Sequence, residues 1–422
     1  MCRKTFLMSE HFEDFFAEEP EETLYLVQEA LDRGDNAVAL DLAEAYLEDQ
    51  PLCVEAMNHC AVAAANLGDH RKALALYRKA LQLDPRNGAI HHNYGVLAEQ
   101  LGRYREAYEH LWRSLELQPD FPEAYINLGN VLDELDRTEE ALQMYLRALH
   151  RLPESPDILY NIGYALNRLQ RHGEAGDYFD RALRLAPDDH ACHNGRGYAL
   201  AGLGRDEEAL VCYDEAIARD PEIASYHYNR GLSLVRLQRQ DEALQAFSRV
   251  LELDGGFFEA YVERAHLLAA RGELTKALED LAAAERIDPD SPDPSFYRAM
   301  VLERRGDVSG ALAALEESLR LDPESLFILN NKGNLLMDMG RLDEALECFD
   351  SILERTDRYP LALYNRACVM ALKGKVREAV KMLGQAVEQD AHFLEDALDD
   401  PDFDGIRQVP SFARLIRRYE AP

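Results

Sequence analysis

The chain is short of several things at once, and each shortage closes off a class of function. Its 422 residues contain no run of about 18 apolar residues, the length a helix needs to cross a bilayer. The first residues, MCRKTFLMSEHFEDFF, start basic but turn acidic at once, so no secretory signal is expected and the cytoplasm is the default compartment. Seven cysteines (Cys2, Cys53, Cys60, Cys192, Cys212, Cys348, Cys368) are scattered without one Cys-x-x-Cys pair, which signals neither a zinc site nor a disulfide framework. Most of them sit at core-like places and read as small apolar residues. Basic residues are scarce, 46 Lys and Arg against 78 Asp and Glu, for a net charge of −32. Binding to nucleic acid needs clustered cations, so it is not expected, and an anionic membrane surface should repel the chain. The same charge favours basic protein partners. No phosphate loop, nucleophile–base spacing or paired acid site stands out, so the chain reads as non-enzymatic, without cofactor or metal.

What the chain has in quantity is repetition. In Pro122–Ser155, apolar or small residues fall at Tyr125, Leu128, Gly129 and Leu132, and again at Ala141, Tyr145 and Ala148. Each set follows the spacing of one helical face, and the polar turn Asp136–Arg137 between them makes the unit two antiparallel helices. Aligned on their closing proline, eleven such units of 34 residues run from Pro20 to Phe393 without an insertion. The closing prolines are Pro51, Pro85, Pro119, Pro153, Pro187, Pro221, Pro289 and Pro323, with Gly255, Asp357 and Ala391 in the remaining units. The twentieth place is alanine in all eleven, from Ala39 to Ala379, which lets two helices approach closely. Glycine recurs at the fifteenth place (Gly34, Gly68, Gly102, Gly204, Gly272, Gly306, Gly340, Gly374), where a left-handed residue ends the first helix. A helix pair this short cannot bury its apolar faces alone, so the pairs must stack.

The period and the residues Tyr125, Leu128, Gly129, Leu132, Ala141, Tyr145, Ala148 and Pro153 resemble the tetratricopeptide repeat. That resemblance covers residues 20–393 and implies an all-α fold, a right-handed α-solenoid in which the first helix of each pair lines a concave groove. It also implies binding of other proteins, while naming none. Residues 1–19 precede the array, and Phe6, Phe12, Phe15 and Phe16 suggest an amphipathic segment, either a cap on the first repeat or a segment that docks in a neighbour's groove. Residues 394–422 break the period and read as a helical cap, with Phe403, Ile406, Phe412, Leu415 and Ile416 inward and Arg414, Arg417 and Arg418 outward. That ending resembles those of bacterial arrays in the family.

A helical wheel puts places four, seven, eight and eleven in the core and places two, five, nine, twelve and thirteen in the groove, with place six at the border. Place six is asparagine at Asn93, Asn127, Asn161, Asn229, Asn331 and Asn365. An amide offers a donor and an acceptor to an extended backbone, and the series resembles the asparagine ladder of O-linked N-acetylglucosamine transferase. The competing reading is that these amides bond only to neighbouring repeats. Tyr160, Tyr164, Tyr198 and Tyr228, with Phe296 and Tyr364 farther on, are groove aromatics suited to anchoring a partner or to stacking on one another. Acids Glu21, Glu55, Glu99, Glu123, Asp133, Glu134 and Asp157 line the first half of the groove, and Arg168, Arg236 and Arg304 follow. Place seven is apolar in the first five repeats and basic from the sixth on (Arg196, Arg230, Arg264, Arg298, Lys332, Arg366). These cations either pair with acids such as Asp180, Asp214 and Asp350 or form a spine that reads a partner. The lysines of the family's carboxylate clamp are missing from places two and five, although Asn130 and Asn334 hold place nine. His91, His193 and His227 take place four and read as structural. The sequence therefore predicts a scaffold that holds an extended segment of a protein partner, basic or with apolar anchors, in its groove. Self-assembly into a structural scaffold, or service as the targeting subunit of a separate enzyme, are the alternatives.

Overall fold

The computed structural model of the chain describes residues 20–420. The segment of residues 1–19, with its four phenylalanines and Cys2, and the side chain of Glu21 lie outside the described residues. Among the described residues there are 24 α-helices, one short 3-10 turn and no strand. The first 22 helices fall in pairs, a first helix at places one to thirteen and a second at places seventeen to thirty. Two further helices, His392–Asp399 and Pro410–Glu420, follow them. The first of these begins two residues before the expected boundary at 394, and the Asp390 carboxylate beside its start accepts from His392 N. The chain divides into two compact units, Met1–Pro221 and Glu222–Pro422.

Helix ends follow from place 34. Asn87, Ser155, Asp189 and Ser325 each accept the backbone N–H three residues on, the cap a helix start needs. At the other end of the first helix, all eight place-fifteen glycines have positive φ, between 68° and 85°. Where glycine is missing the chain keeps the turn: Asp136, Gln170 and Gln238 adopt φ of 57° to 59°, a conformation that costs about 1 kcal/mol for a residue with a Cβ.

Packing inside each pair rests on one contact. At place eight, a Cβ on Gly129, Gly163, Gly197, Gly231 or Gly333 would lie within 2.8 Å of the aromatic ring at place 24 of the same repeat (Tyr145, Phe179, Tyr213, Phe247, Phe349). Where place eight is alanine in repeats 8, 9 and 11 (Ala265, Ala299, Ala367), place 24 is leucine (Leu281, Leu315, Leu383). In these eight repeats the two places exchange volume, whereas repeat 2 sets Ala61 against Tyr77 and repeat 3 sets Gly95 against Leu111. The place-twenty alanines are all buried. In the C-terminal unit, Phe403, Ile406, Phe412, Leu415 and Ile416 are buried in the same cluster as Ala379 and Leu383, and Arg414, Arg417 and Arg418 are exposed. Five of the six cysteines among the described residues are buried, and Cys53 is half-buried.

The basic run at place seven is paired inside the array. Arg196 meets Asp180 at 2.7 Å, Arg298 meets Glu285 at 2.7 Å, Lys332 meets Glu316 at 3.0 Å, and Arg366 donates to Asp350. Arg264 grips the buried Asp280 with two bonds of 2.7 and 2.8 Å. These five cations take carboxylates of the array, the first of the two readings given above. Place-four side chains are likewise structural: Tyr125 Oη donates to the carbonyl of Pro119 at 3.1 Å, and His193 Nε2 lies 2.9 Å from that of Pro187. His91 reaches Pro85 O at 3.2 Å and pairs through Nδ1 with His110 Nδ1 at 3.0 Å.

Two outcomes are expected. Gly197→Ala should destabilise the N-terminal unit by about 1–3 kcal/mol through overpacking against Tyr213, and adding Tyr213→Leu should recover much of the loss. Urea unfolding followed by circular dichroism measures both, and an unaffected Gly197→Ala would show that the ring yields freely. Asp280→Ala should cost about 3 kcal/mol, since it strands Arg264. The double change Arg264→Met with Asp280→Leu should restore near-native stability, because repeats 1–5 are already built with an apolar place seven.

Candidate functional site: the inner face of the first helices

In the N-terminal unit consecutive first helices approach one another, as Pro20–Asp32 does Val54–Asn66 and Pro156–Arg168 does His190–Gly202. Among the described residues no two consecutive second helices come together to the same extent. The first helices therefore form the inner, concave side of the unit, as the wheel requires.

The asparagine series divides by what stands 35 residues earlier. Asn93 Nδ2 donates to Asn58 Oδ1 at 3.1 Å, and its own Oδ1 lies 3.2 Å from His92 Nδ1. Asn127 Nδ2 is 2.9 Å from His92 Nε2, so Asn58, Asn93, His92 and Asn127 form one chain of contacts across three repeats. Asn365, in the C-terminal unit, is buried and donates to both Asn330 and Asn334, at 3.0 and 2.8 Å. Its amide hydrogens are spent on its neighbours. Asn331 donates to the carbonyl of Phe327 in its own helix at 2.8 Å. Asn161, like Asn331, has no polar side chain 35 residues before it: the residues there are Ile126 and Phe296. The rule, a place-six amide reaching back to place five of the preceding repeat, is written in the sequence, and His92 and Asn58 are the members that a search of place six alone overlooks. Asn229 has an interaction of its own.

The tyrosines also separate. Tyr164 and Tyr198, both at place nine in successive repeats, are each 48% exposed. Tyr160 lies half-buried between Tyr164, at 6.3 Å, and the edge of Phe179, at 5.9 Å. His172 meets the Tyr198 ring edge-on at 6.0 Å. Tyr228, in the C-terminal unit, is half-buried against Phe247 and Phe257 at 5.8 and 4.9 Å. The same device seats Tyr364 on Phe393 at 4.9 Å and His92 on Phe121 at 4.6 Å: a place-five ring stacks on place 34 of its repeat. Phe296 and Tyr364 are buried, so they support the face rather than present themselves on it.

Electrostatics narrow the acidic stretch to a few groups. Asp133 is occupied, accepting from Arg168 at 2.7 Å and from Thr138 at 2.9 Å, while Arg168 also holds Asp136 at 2.8 Å. Glu55, Glu123, Glu134 and Asp157 are exposed. Glu99 is half-buried, and burial together with the nearby Glu134 carboxylate pushes its carboxyl up to about 7, against the opposing pull of Asn130. Near it the Tyr145 hydroxyl donates to Asn130 Oδ1 at 2.9 Å. A half-buried carboxyl beside a second acid is a place where an incoming cation gains most.

Cys368, Asp400 and Asp402, in the C-terminal unit, bring possible metal ligands within 4.8 Å of one another. Their geometry has a structural cause. Asp400 caps the turn Pro401–Phe403 by accepting from Asp402 N at 2.9 Å, and it accepts the Tyr364 hydroxyl at 2.7 Å. No helix of the described residues is long and apolar enough to cross a membrane.

Comparison with known proteins follows this geometry. Family profiles described as tetratricopeptide repeat match residues 25–88, 127–190, 193–256 and 262–325, and others match 302–367, 76–109 and 110–143. No match is found among curated proteins. Among solved structures the chain is similar to yeast Tom70 (16% identity over 94% of this chain and 99% of that one, TM-score 0.47). It is also similar to pilF of Pseudomonas aeruginosa (21% identity, 50% and 95% covered, TM-score 0.46). A third is YrrB, described as a TPR protein with an unusual peptide-binding site (25% identity, 44% and 95% covered, TM-score 0.37). With a helix pair in every 34 residues, and profiles that match well over half of its length, the chain belongs to the tetratricopeptide repeat family.

Proposed function

We propose that the chain is a non-enzymatic, cytoplasmic scaffold that holds an extended segment of a protein partner along the first helices of its N-terminal unit. The observation that carries this reading is the pair Tyr164 and Tyr198. Two large rings at the same place in successive repeats stay half-exposed, although burying such a ring is worth roughly 1.5–3 kcal/mol. Rings left on a concave face are anchors for another chain. Successive first helices are separated by about 10 Å, and an extended segment advances about 3.3 Å per residue, so the two rings meet side chains about three residues apart. Asn161, with apolar Ile126 behind it, sits beside Tyr160 in the N-terminal unit and serves the backbone of that segment. Glu99, Glu134 and Asp157 select Lys or Arg in it. Asn93 and Asn127 contribute by holding the face rigid.

Display selection on the full chain should return a class of peptides that carry Lys or Arg beside an apolar residue. The double change Tyr164→Ala, Tyr198→Ala should weaken that class at least about tenfold without lowering helicity. Asn161→Ala should weaken binding alone, whereas Asn93→Ala with Asn127→Ala should lower stability. Basic peptides indifferent to the loss of both tyrosines would sink the reading. Because the Glu99 carboxyl gains its charge only as pH rises through about 7, affinity for the basic class should increase from pH 6 to pH 8. Glu99→Gln should flatten that rise.

A further inference from the structure

An open cleft of about 610 Å³ lies in the C-terminal unit, between the first helix of the last repeat, Pro360–Leu372, and the following helix His392–Asp399. Leu361, Tyr364 and Asn365 line it from the first helix, and Phe393 stacks on Tyr364 at 4.9 Å. The carboxylates of Glu395, Asp396, Asp399 and Asp400 line it from the other side, and no Lys or Arg does. His392 also lines it, with its ring nitrogens 3.8 Å from Glu395 and 3.6 Å from Asp396. Arg407 donates to the Asp400 carbonyl at 2.8 Å but spends its charge on Asp404 at 2.7 Å. Among the described residues the Asp399 carboxylate has no partner.

Exposed acids alone are a solvated face, and Asn365 is what sets this cleft apart. Its side chain is only 8% exposed, and its amide hydrogens are committed to Asn330 and Asn334. In repeat 3 the corresponding oxygen, Asn93 Oδ1, is met at 3.2 Å by the place-five imidazole of His92. Place five of repeat 11 is Tyr364, whose hydroxyl donates to Asp400 at 2.7 Å instead. Asn365 Oδ1 is therefore left without a donor among the described residues, on a side chain that lines the cleft. A nearly buried acceptor without a donor is costly, so a donor brought from outside gains there. Asp400 is held in place beside it, since Tyr364 and Asp402 N bond its two oxygens. The acids are too spread for a metal ion. Among the described residues the set of three possible ligands within 4.8 Å is Cys368, Asp400 and Asp402, which leaves out Glu395, Asp396 and Asp399.

We propose that this cleft receives a lysine side chain of a partner segment. Its ammonium donates to Asn365 Oδ1 and to the carboxylates of Asp396 and Asp399, and its aliphatic stem lies along Phe393 and Leu361, the latter 40% exposed. Charge complementarity decides the occupant: an ammonium has three donors and no acceptor, and the cleft offers acceptors alone. This subsite deepens the scaffold reading and rests on it, adding a lysine to those basic residues that Glu99, Glu134 and Asp157 select.

The test uses the full chain carrying Tyr164→Ala and Tyr198→Ala, with leucine methyl groups carbon-13 labelled and the Leu361 signal assigned through Leu361→Ile. The probe is a capped peptide whose single charge is a central lysine, with norleucine and Nε-acetyl-lysine versions as controls. The lysine peptide should shift the Leu361 methyl resonances saturably, and both controls should bind at least about tenfold more weakly. Asp396→Asn with Asp399→Asn changes only exposed side chains and should weaken the response by a similar factor. Tyr364→His supplies the donor that His92 supplies in repeat 3, on a place-34 ring that both repeats share, so it should fold and weaken the response as well. A silent Leu361, equal binding of the norleucine peptide, or an unchanged response in either variant would each overturn the proposal. So would a saturable response to calcium chloride with none to the lysine peptide. If basic peptides bind the unmodified chain through Tyr164 and Tyr198 while Leu361 stays silent, this subsite fails alone. If no basic peptide binds at either place, the scaffold reading falls with it.

Discussion

Everything in this array depends on how closely two antiparallel helices lie at the crossing of place eight with place 24. Ala is the largest residue that repeats 2–11 allow at place eight, and glycine there is matched by a ring or Leu111 opposite. Repeat 2, with Ala61 against Tyr77, departs from the trade, and the place-twenty alanine is buried in every repeat. Because successive pairs within a unit stack on one another, an error at one crossing is passed to the inner face, where the tyrosines and asparagines must be correctly placed. Interiors pack near crystal density, so such errors are transmitted rather than absorbed.

Charge is handled separately on the two kinds of surface. On the outer helices, arginine at place sixteen grips glutamate three residues on (Arg137–Glu140, Arg171–Glu174, Arg205–Glu208, Arg239–Glu242, Arg341–Glu344). These exposed pairs contribute little each. Within the array, five of the place-seven cations, Arg196, Arg264, Arg298, Lys332 and Arg366, are each matched to a carboxylate. Each such pair uses one acid and one base, so the excess of 78 acids over 46 bases is left over, and the N-terminal inner face keeps its share of it. Glu99 marks where that excess is felt most, since it is the acid there that burial and a like charge hold back from ionising.

Periodicity made the fold legible, because 34-residue spacing of small and apolar residues leaves one way to bury them. The wheel also identified which places face inward, and Tyr164 and Tyr198 are exposed there. What it gave no access to was the partner of each inward residue. Asn93 meets Asn58 and Asn365 meets Asn330, pairs 35 residues apart that only the stacking of helices brings together. Arg264 takes Asp280 of its own repeat, while Arg196 and Arg366 take the expected acids of the repeat before.

The buried thiols have a consequence of their own. Burial pushes Cys60 up to about 11 and raises Cys192, Cys212, Cys348 and Cys368 as well. Alkylation needs the thiolate and a path to it, and the closed repeat denies both. Each of these sulfurs therefore reacts only while its own stretch of the array is open. They are spread over repeats 2, 6, 10 and 11, so the relative rates at which they are modified record where along the chain the helices part first.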